Sequence, residues 1–139
     1  MICPCDTGKP YQACCKPLHE GTLATNPLAL MRSRYSAFAL SLVPYLNSTQ
    51  TVEPIDALDS SRWTRLLIHD AGDNWVRFSA RWEANGQFGT LSEHSLFEQR
   101  NGQWLYTEGE QLAIPELTLP TRNAYCWCAS GKKYKRCHG

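Results

Sequence analysis

The feature that most restricts this chain is a pair of cysteine clusters with one spacing, one near each end. Cys3, Cys5, Cys14 and Cys15 read Cys-x-Cys-x8-Cys-Cys, and Cys126, Cys128, Cys137 and His138 read Cys-x-Cys-x8-Cys-His. The interiors agree in register too, with Thr7, Gly8, Lys9 and Tyr11 falling on Ser130, Gly131, Lys132 and Tyr134. The clusters use all seven cysteines of the 139 residues. Seven is odd, and both Cys-x-Cys and the adjacent Cys14-Cys15 would need strained bridges, so disulfides fit poorly. Four soft donors suit tetrahedral zinc instead, with each sulfur at ~2.3 Å. Two Zn2+ sites are expected, one in residues 1–18 and one in 121–139, with a middle domain over 19–120.

Fourteen residues leave no room for a hydrophobic core, so a metal has to order each cluster. Structural zinc contributes on the order of 10–16 kcal/mol in comparable peptides. Sites closed by four protein donors leave no position for water or substrate, which points to a structural role. In the first cluster Thr7-Gly8 supplies the sharp turn, and Lys9 and Lys16 offset the negative charge of a four-thiolate centre. No Cys-x-x-Cys is present to suggest redox chemistry.

Charge is unevenly placed. Residues 21–120 hold seven Lys and Arg against eleven Asp and Glu, whereas residues 121–139 hold five basic residues and no acid. Lys132, Lys133, Lys135 and Arg136 exceed what a three-thiolate, one-imidazole zinc centre needs. They are the expected contact for an acidic protein surface or a phosphate backbone. The start, Met1-Ile2-Cys3-Pro4-Cys5, lacks the basic and apolar regions of a signal peptide. With no apolar run of membrane-spanning length, a cytoplasmic protein without membrane insertion is expected, in a compartment that keeps thiols reduced.

Between the clusters, Asn26-Pro27 is a helix start, with Asn as cap and Pro in the first turn. Leu28, Met31, Tyr35, Phe38, Ala39 and Leu42 recur at helical spacing and predict a helix to about Val43, ended or kinked by Pro44. A short helix is expected over 56–62, then strands at 63–69, 75–83, 88–99 and 103–107. Asn85-Gly86 and Asn101-Gly102 mark hairpin turns. Helices followed by an antiparallel meander make an α+β domain, its helices on one face of a curved sheet. Leu112 to Thr121, with Pro115 and Pro120, reads as a semi-rigid linker.

Leu91, Glu93, Ser95 and Phe97 share a strand face, which aims Glu93 into an apolar concavity. There it could act as a general base or pair with Arg32 or Arg34. A bulge that shifted the parity would turn His94 inward instead. No nucleophile–base motif, phosphate loop or dinucleotide fingerprint occurs in the chain, and no catalytic residue is assigned.

The stretch Cys126-Trp127-Cys128-Ala129-Ser130-Gly131-Lys132-Lys133-Tyr134-Lys135-Arg136-Cys137-His138-Gly139 resembles the SEC-C motif. That zinc module ends the preprotein translocase ATPase SecA, where it binds the secretion chaperone SecB. The motif's usual Pro and Gly are Trp127 and Ala129 here, and no ligand is lost. The N-terminal copy keeps Pro4 and has Cys15 in place of the final His. Two such modules around Leu30-Met31-Arg32-Ser33-Arg34-Tyr35-Ser36-Ala37-Phe38 and Glu93-His94-Ser95-Leu96-Phe97 are similar to the bacterial YchJ family. The resemblance spans essentially the whole chain. It implies a nuclear transport factor 2-like middle domain, a cone of curved antiparallel sheet and helices around a pocket. Members often carry His before the glutamate, where this chain has Ser92.

These readings make the chain a zinc-binding interaction protein that docks on an acidic partner, by analogy a secretion chaperone or a ribosome-associated surface. The alternative is a small-molecule binder or enzyme using the middle-domain pocket, with Glu93 as acid/base and Arg32, Arg34, Tyr35 and Trp82 shaping it. Nucleic-acid binding, carried by the basic tail alone, comes third.

Overall fold

Asn26 starts the helix on which the rest is assembled, its side-chain oxygen accepting the Ala29 N–H at 2.8 Å. In the computed structural model, which describes residues 1–112, this helix is preceded by a 3-10 turn (Tyr11–Ala13) and a short helix α1 (Lys16–His19). Helix α2 is Pro27–Ala39, α3 is Val43–Ser48, and the strands are β1 (Arg62–Ala71), β2 (Trp75–Ala84), β3 (Gln87–Arg100) and β4 (Gln103–Gln111). The strands form one antiparallel meander in the order β1-β2-β3-β4. The expected α+β class and curved antiparallel sheet are both observed.

Turn chemistry sets the register. Asn85-Gly86 and Asn101-Gly102 take positive φ at all four positions, 53° and 78° in the first turn and 52° and 79° in the second. That is the geometry of two-residue hairpin loops whose twist matches the strands. Irregularities at Trp63/Arg65 and Ile68/Asp70 in β1 and at Leu96/Phe97 in β3 bend the sheet. On its concave face Leu66, Val76, Phe78, Ala80 and Phe97 pack against Leu30, Met31 and Tyr35 of α2. Each sheet edge is bridged at one point. Residues 49–51 run beside β4, with Tyr106 N–H donating to the Thr49 carbonyl at 2.8 Å and Thr51 N–H to the Tyr106 carbonyl at 2.9 Å. On β1, the Asp6 carboxylate accepts the Leu66 N–H at 3.0 Å. These contacts use up three edge groups, one on β1 and two on β4, and interrupt the edges at those points.

Two expectations fail for local reasons. Helix α2 stops at Ala39 rather than near Val43, because Ser41 adopts φ 59°. Leu42 N–H then donates back to the Ala37 carbonyl at 2.8 Å and Ser41 N–H to the Phe38 carbonyl at 3.3 Å. This is a Schellman ending with serine where glycine is usual. Pro44 therefore opens α3 instead of closing α2. Residues 56–61 form no helix, and Arg62 already belongs to β1. Asp59 spends its carboxylate on the Ser61 N–H at 2.9 Å, a local bond that competes with helix. Upstream, Ile55 is tied to the Asn47 side chain by bonds of 2.7 and 3.0 Å.

Candidate functional site

The first candidate site is the N-terminal cysteine cluster. Its loop closes through Cys3 N–H to the Lys9 carbonyl (2.9 Å) and Tyr11 N–H to the Met1 carbonyl (2.9 Å). Gly8 takes φ 82° as the sequence suggested, and Asp6 shares the turn with φ 69°. The Sγ atoms of Cys3, Cys5, Cys14 and Cys15 all lie within 4.8 Å of one another. Cys5 and Cys14 are 3.5 Å apart and Cys14 and Cys15 4.0 Å. A tetrahedron with ~2.3 Å metal–sulfur bonds needs sulfurs ~3.8 Å apart, so this donor set fits a thiophilic divalent ion. Cys3, Cys5 and Cys15 are buried and Cys14 is half-buried.

The thiols share hydrogen bonds with one another. The Cys5 proton is held well below the ordinary thiol range by the Cys15 hydrogen bond, with burial opposing. Cys15 is pushed up by that same bond and then by burial, and Cys14 is pushed up mainly by burial. Crowding lets one thiolate form at the expense of its neighbours, and a bound cation reverses that order by favouring all four.

Helix α2 supports the cluster. The Ser36 hydroxyl donates to Cys15 Sγ at 3.3 Å and lies 3.4 Å from Cys3 Sγ. Arg32 Nη1 donates to the Cys5 carbonyl at 2.8 Å. His19 lies between Tyr11 Oη (2.6 Å) and the Ser33 carbonyl (2.8 Å). Asp6 bridges outward to Arg65 Nε at 3.0 Å. None of these supports was legible as such in the sequence. Arg32 and Ser36 share the i, i+4 face of α2, a signal that acquires meaning only once the cluster is known to pack there.

The second candidate site is a cavity of about 180 Å³ between α2 and the concave face of the sheet. Its body is apolar, made by Met31, Phe38, Trp63, Phe78, Leu91 and Phe97. Arg34, Glu93, Ser95 and Tyr106 add polar groups to its wall. Glu93 faces inward as its strand parity predicted, while His94 turns outward and stacks on Trp75 with ring centroids 5.0 Å apart. Glu93 Oε1 accepts the Ser95 hydroxyl at 2.7 Å and the Tyr106 hydroxyl at 2.9 Å. Arg34, only 7% exposed, lies over the Tyr106 ring at 4.8 Å. Its guanidinium donates to the Leu46 carbonyl (2.9 Å), Thr49 Oγ1 (2.8 Å) and Gln50 Oε1 (2.9 Å). Burial pulls the Arg34 pKa down to about 10, against opposing help from Tyr106, Tyr45 and Glu93.

The sequence grouped Arg32, Arg34, Tyr35, Trp82 and Glu93 at this pocket, and the structure brings only Arg34, Tyr35 and Glu93 there. Arg32 belongs to the cysteine cluster instead. Trp82 lays its indole over Gly89, the cross-strand partner that has no side chain to resist it. The pairing of Glu93 with Arg32 or Arg34, one of the two roles the sequence offered it, is not made: Arg32 bonds to the Cys5 carbonyl and Arg34 to Leu46, Thr49 and Gln50. Tyr106 was missed, although its inward position follows from pairing with Phe97 across β3 and β4. Cys126, Cys128, Cys137, His138, Lys132, Lys133, Lys135 and Arg136 lie outside the described residues, as does all but the first residue of the expected linker. No helix among the described residues is long and apolar enough to cross a membrane.

Comparisons with known proteins agree with this architecture. Residues 26–109 match the family model of the YchJ middle NTF2-like domain, and residues 122–139 match the SEC-C motif. A UPF0225 protein of Shewanella sp. (strain MR-4) is 37% identical, over 97% of this chain and 94% of that one. A UPF0225 protein of Serratia proteamaculans (strain 568) is 36% identical, over 99% and 97%. The solution structure of a SEC-C motif containing protein from Rhodopseudomonas palustris superposes with a TM-score of 0.69 at 33% identity, covering 81% of this chain and all of that one. The crystal structure of a SEC-C motif containing protein from Psychrobacter arcticus shares the fold, with a TM-score of 0.62 at 24% identity over 99% and 94%. With a matched NTF2-like middle domain, a matched SEC-C motif and near full-length relatives, this chain belongs to the YchJ-like UPF0225 family.

Proposed function

We propose that the protein is a zinc-stabilised interaction module in which the metal centres are structural and the basic C-terminal segment makes the partner contact. The observation that carries the reading is the closed set of four sulfurs at Cys3, Cys5, Cys14 and Cys15. A site with four protein donors holds shape and does no chemistry, because no coordination position is left for a reactant. Cys126, Cys128, Cys137 and His138 repeat the donor spacing and are assigned the second ion. Zinc suits both sets, since it is redox-inert, tetrahedral and well matched to thiolate and imidazole.

The partner in this reading is an acidic protein surface, of the kind a secretion chaperone or a ribosome-associated protein presents. Lys132, Lys133, Lys135 and Arg136 supply the complementary charge. Two measurements test the proposal. Elemental analysis of reduced, gently purified protein should find two zinc ions per chain, and a value far below two removes the metal assignment. Replacing the four basic residues with Gln should abolish capture of the partner at moderate salt while leaving zinc content intact, and unchanged capture removes the docking assignment.

A further inference from the structure

We infer that the cavity between α2 and the sheet is a binding site for a small neutral aromatic molecule carrying one hydroxyl or amino donor, of phenol or aniline size. The inference is independent of the metal centres and of the partner contact.

Size and lining set the body of the ligand. The cavity measures about 180 Å³. An apolar cavity of ~150 Å³ stays dry and takes up benzene, so there is room here for one ring and a small substituent. Six apolar side chains from α2 and three strands line that volume, four of them aromatic. Their rings offer edge and face contacts to another ring.

The polar groups set the head. Glu93 and Tyr106 are fixed in place: a Cβ at Gly109 would strike both the Glu93 carboxylate and the Tyr106 hydroxyl, so backbone packs directly behind them. Both hydrogen bonds to the carboxylate from described residues fall on Oε1, leaving Oε2 as an acceptor with no donor among them. A ligand O–H or N–H satisfies it, whereas a head that only accepts meets an anion. Charge balance argues for a neutral head. Tyr106 joins the two charged groups, its ring under the Arg34 guanidinium and its hydroxyl on Glu93. Cation and anion already offset one another at the wall, so a charged ligand would place a net charge in a largely apolar space.

The test is a titration of the full-length, zinc-loaded chain with four probes of similar size: phenol, toluene, benzoate and benzylammonium. Trp63 lines the cavity and reports by fluorescence, and the methyl of Met31 reports by NMR. Phenol should bind with Kd of about 1 mM or tighter. Toluene should bind more weakly, and the two charged probes more weakly still. Glu93→Gln should cost phenol roughly tenfold, since a bond to a charged acceptor is lost, while leaving toluene unchanged. Ala80→Leu, which fills the cavity from its floor, should abolish binding of both. Thermal unfolding and zinc content of each variant establish that it has folded. The four probes on the unaltered protein decide the question even if a variant fails. No saturable signal from any probe, equal affinity for phenol and toluene, or a preference for either charged probe each overturns the assignment.

Discussion

Residues 1–18 bury three side chains, all of them cysteines, whereas the sheet and α2 bury leucine, valine, methionine and aromatic side chains. Both regions are close-packed, yet their interiors are made of different matter. In the first, four sulfur donors gather where a shared cation would hold them. In the second, order comes from apolar area removed from water. The two interiors form one continuous cluster, Cys3, Cys5 and Cys15 together with Leu30, Met31, Tyr35 and Leu66. The N-terminal cluster, expected from sequence to stand on its metal alone, therefore has a second support. Helix α2 provides it, with Arg32 and Ser36 toward the sulfurs and Met31, Arg34 and Phe38 toward the cavity.

The strongest way to separate the two regimes is to remove the metal from one. Cys15→Ser deletes a buried ligand that also accepts from Ser36. One metal equivalent should be lost, with at least about 3 kcal/mol of stability given the worth of structural zinc. Amide signals of residues 1–18 should collapse to random-coil positions while those of β2 and β3 stay dispersed. If the whole spectrum collapses, the sheet is not independently ordered and the comparison fails.

The converse experiment attacks the sheet domain and spares the sulfurs. Arg34→Ala takes the guanidinium donors from the Leu46 carbonyl, Thr49 Oγ1 and Gln50 Oε1 and the cation from the Tyr106 ring. The expected cost is about 2–4 kcal/mol in denaturant unfolding, with metal content unchanged. Arg34→Lys should recover little, because one ammonium cannot reach three acceptors laid out for a planar fork.

How far the sequence disclosed these regions follows the same division. In residues 1–18 the cysteine spacing named the four sulfurs that come together, because groups gathered at one point must be local in so short a segment. The four strands were legible from alternation and from Asn-Gly turns, since both signals lie within a few residues. What stayed hidden was contact between distant segments. Nothing in the local pattern tells that Arg32 reaches the Cys5 carbonyl while Arg34, two residues on, is buried over Tyr106. Two helical positions point 200° apart, and which one meets which neighbour is decided by packing. Ser41 in the left-handed region was missed for a plainer reason, as serine gives no warning that it will end a helix as glycine does.

A subtler probe of the shared helix is Ser36→Ala. It removes one hydroxyl that touches two sulfurs and leaves the cavity lining alone. Loss of such an outer contact typically lowers metal affinity about tenfold. A competition assay against a chelator should show that shift, with the unfolding of the sheet moved by no more than about 1 kcal/mol. Equal effects on both would mean that α2 transmits strain between the regions instead of serving each from a separate face.

The smallest expected effect concerns Tyr35, which belongs to both interiors. Its ring lines the cavity and packs edge-on to Trp63 at 6.3 Å, and its cluster includes the cysteines. Tyr35 is 3% exposed, and its hydroxyl has no hydrogen-bond partner among the described residues. Burial, helped by the Asp6 carboxylate, pushes its pKa well above the ordinary value of 10.0. Below that value both folded and unfolded chains keep the proton, and the group adds no pH dependence. Above it the unfolded chain releases the proton and the folded chain holds it, so stability falls as pH rises. Tyr45 and Tyr106 act in the same direction. Arg34 opposes them above about 10, because there the unfolded chain is the one that binds the extra proton. Tyr35→Phe removes an unsatisfied buried hydroxyl at constant ring volume. It should therefore raise stability at pH 7 by about 1 kcal/mol and make the decline above pH 10 shallower. Thermal unfolding of both proteins across pH 7–11 measures the two effects together. A destabilised Phe variant would mean that the hydroxyl has a polar role where the sulfur-lined and apolar interiors meet, and the boundary between them would have to be redrawn through this residue.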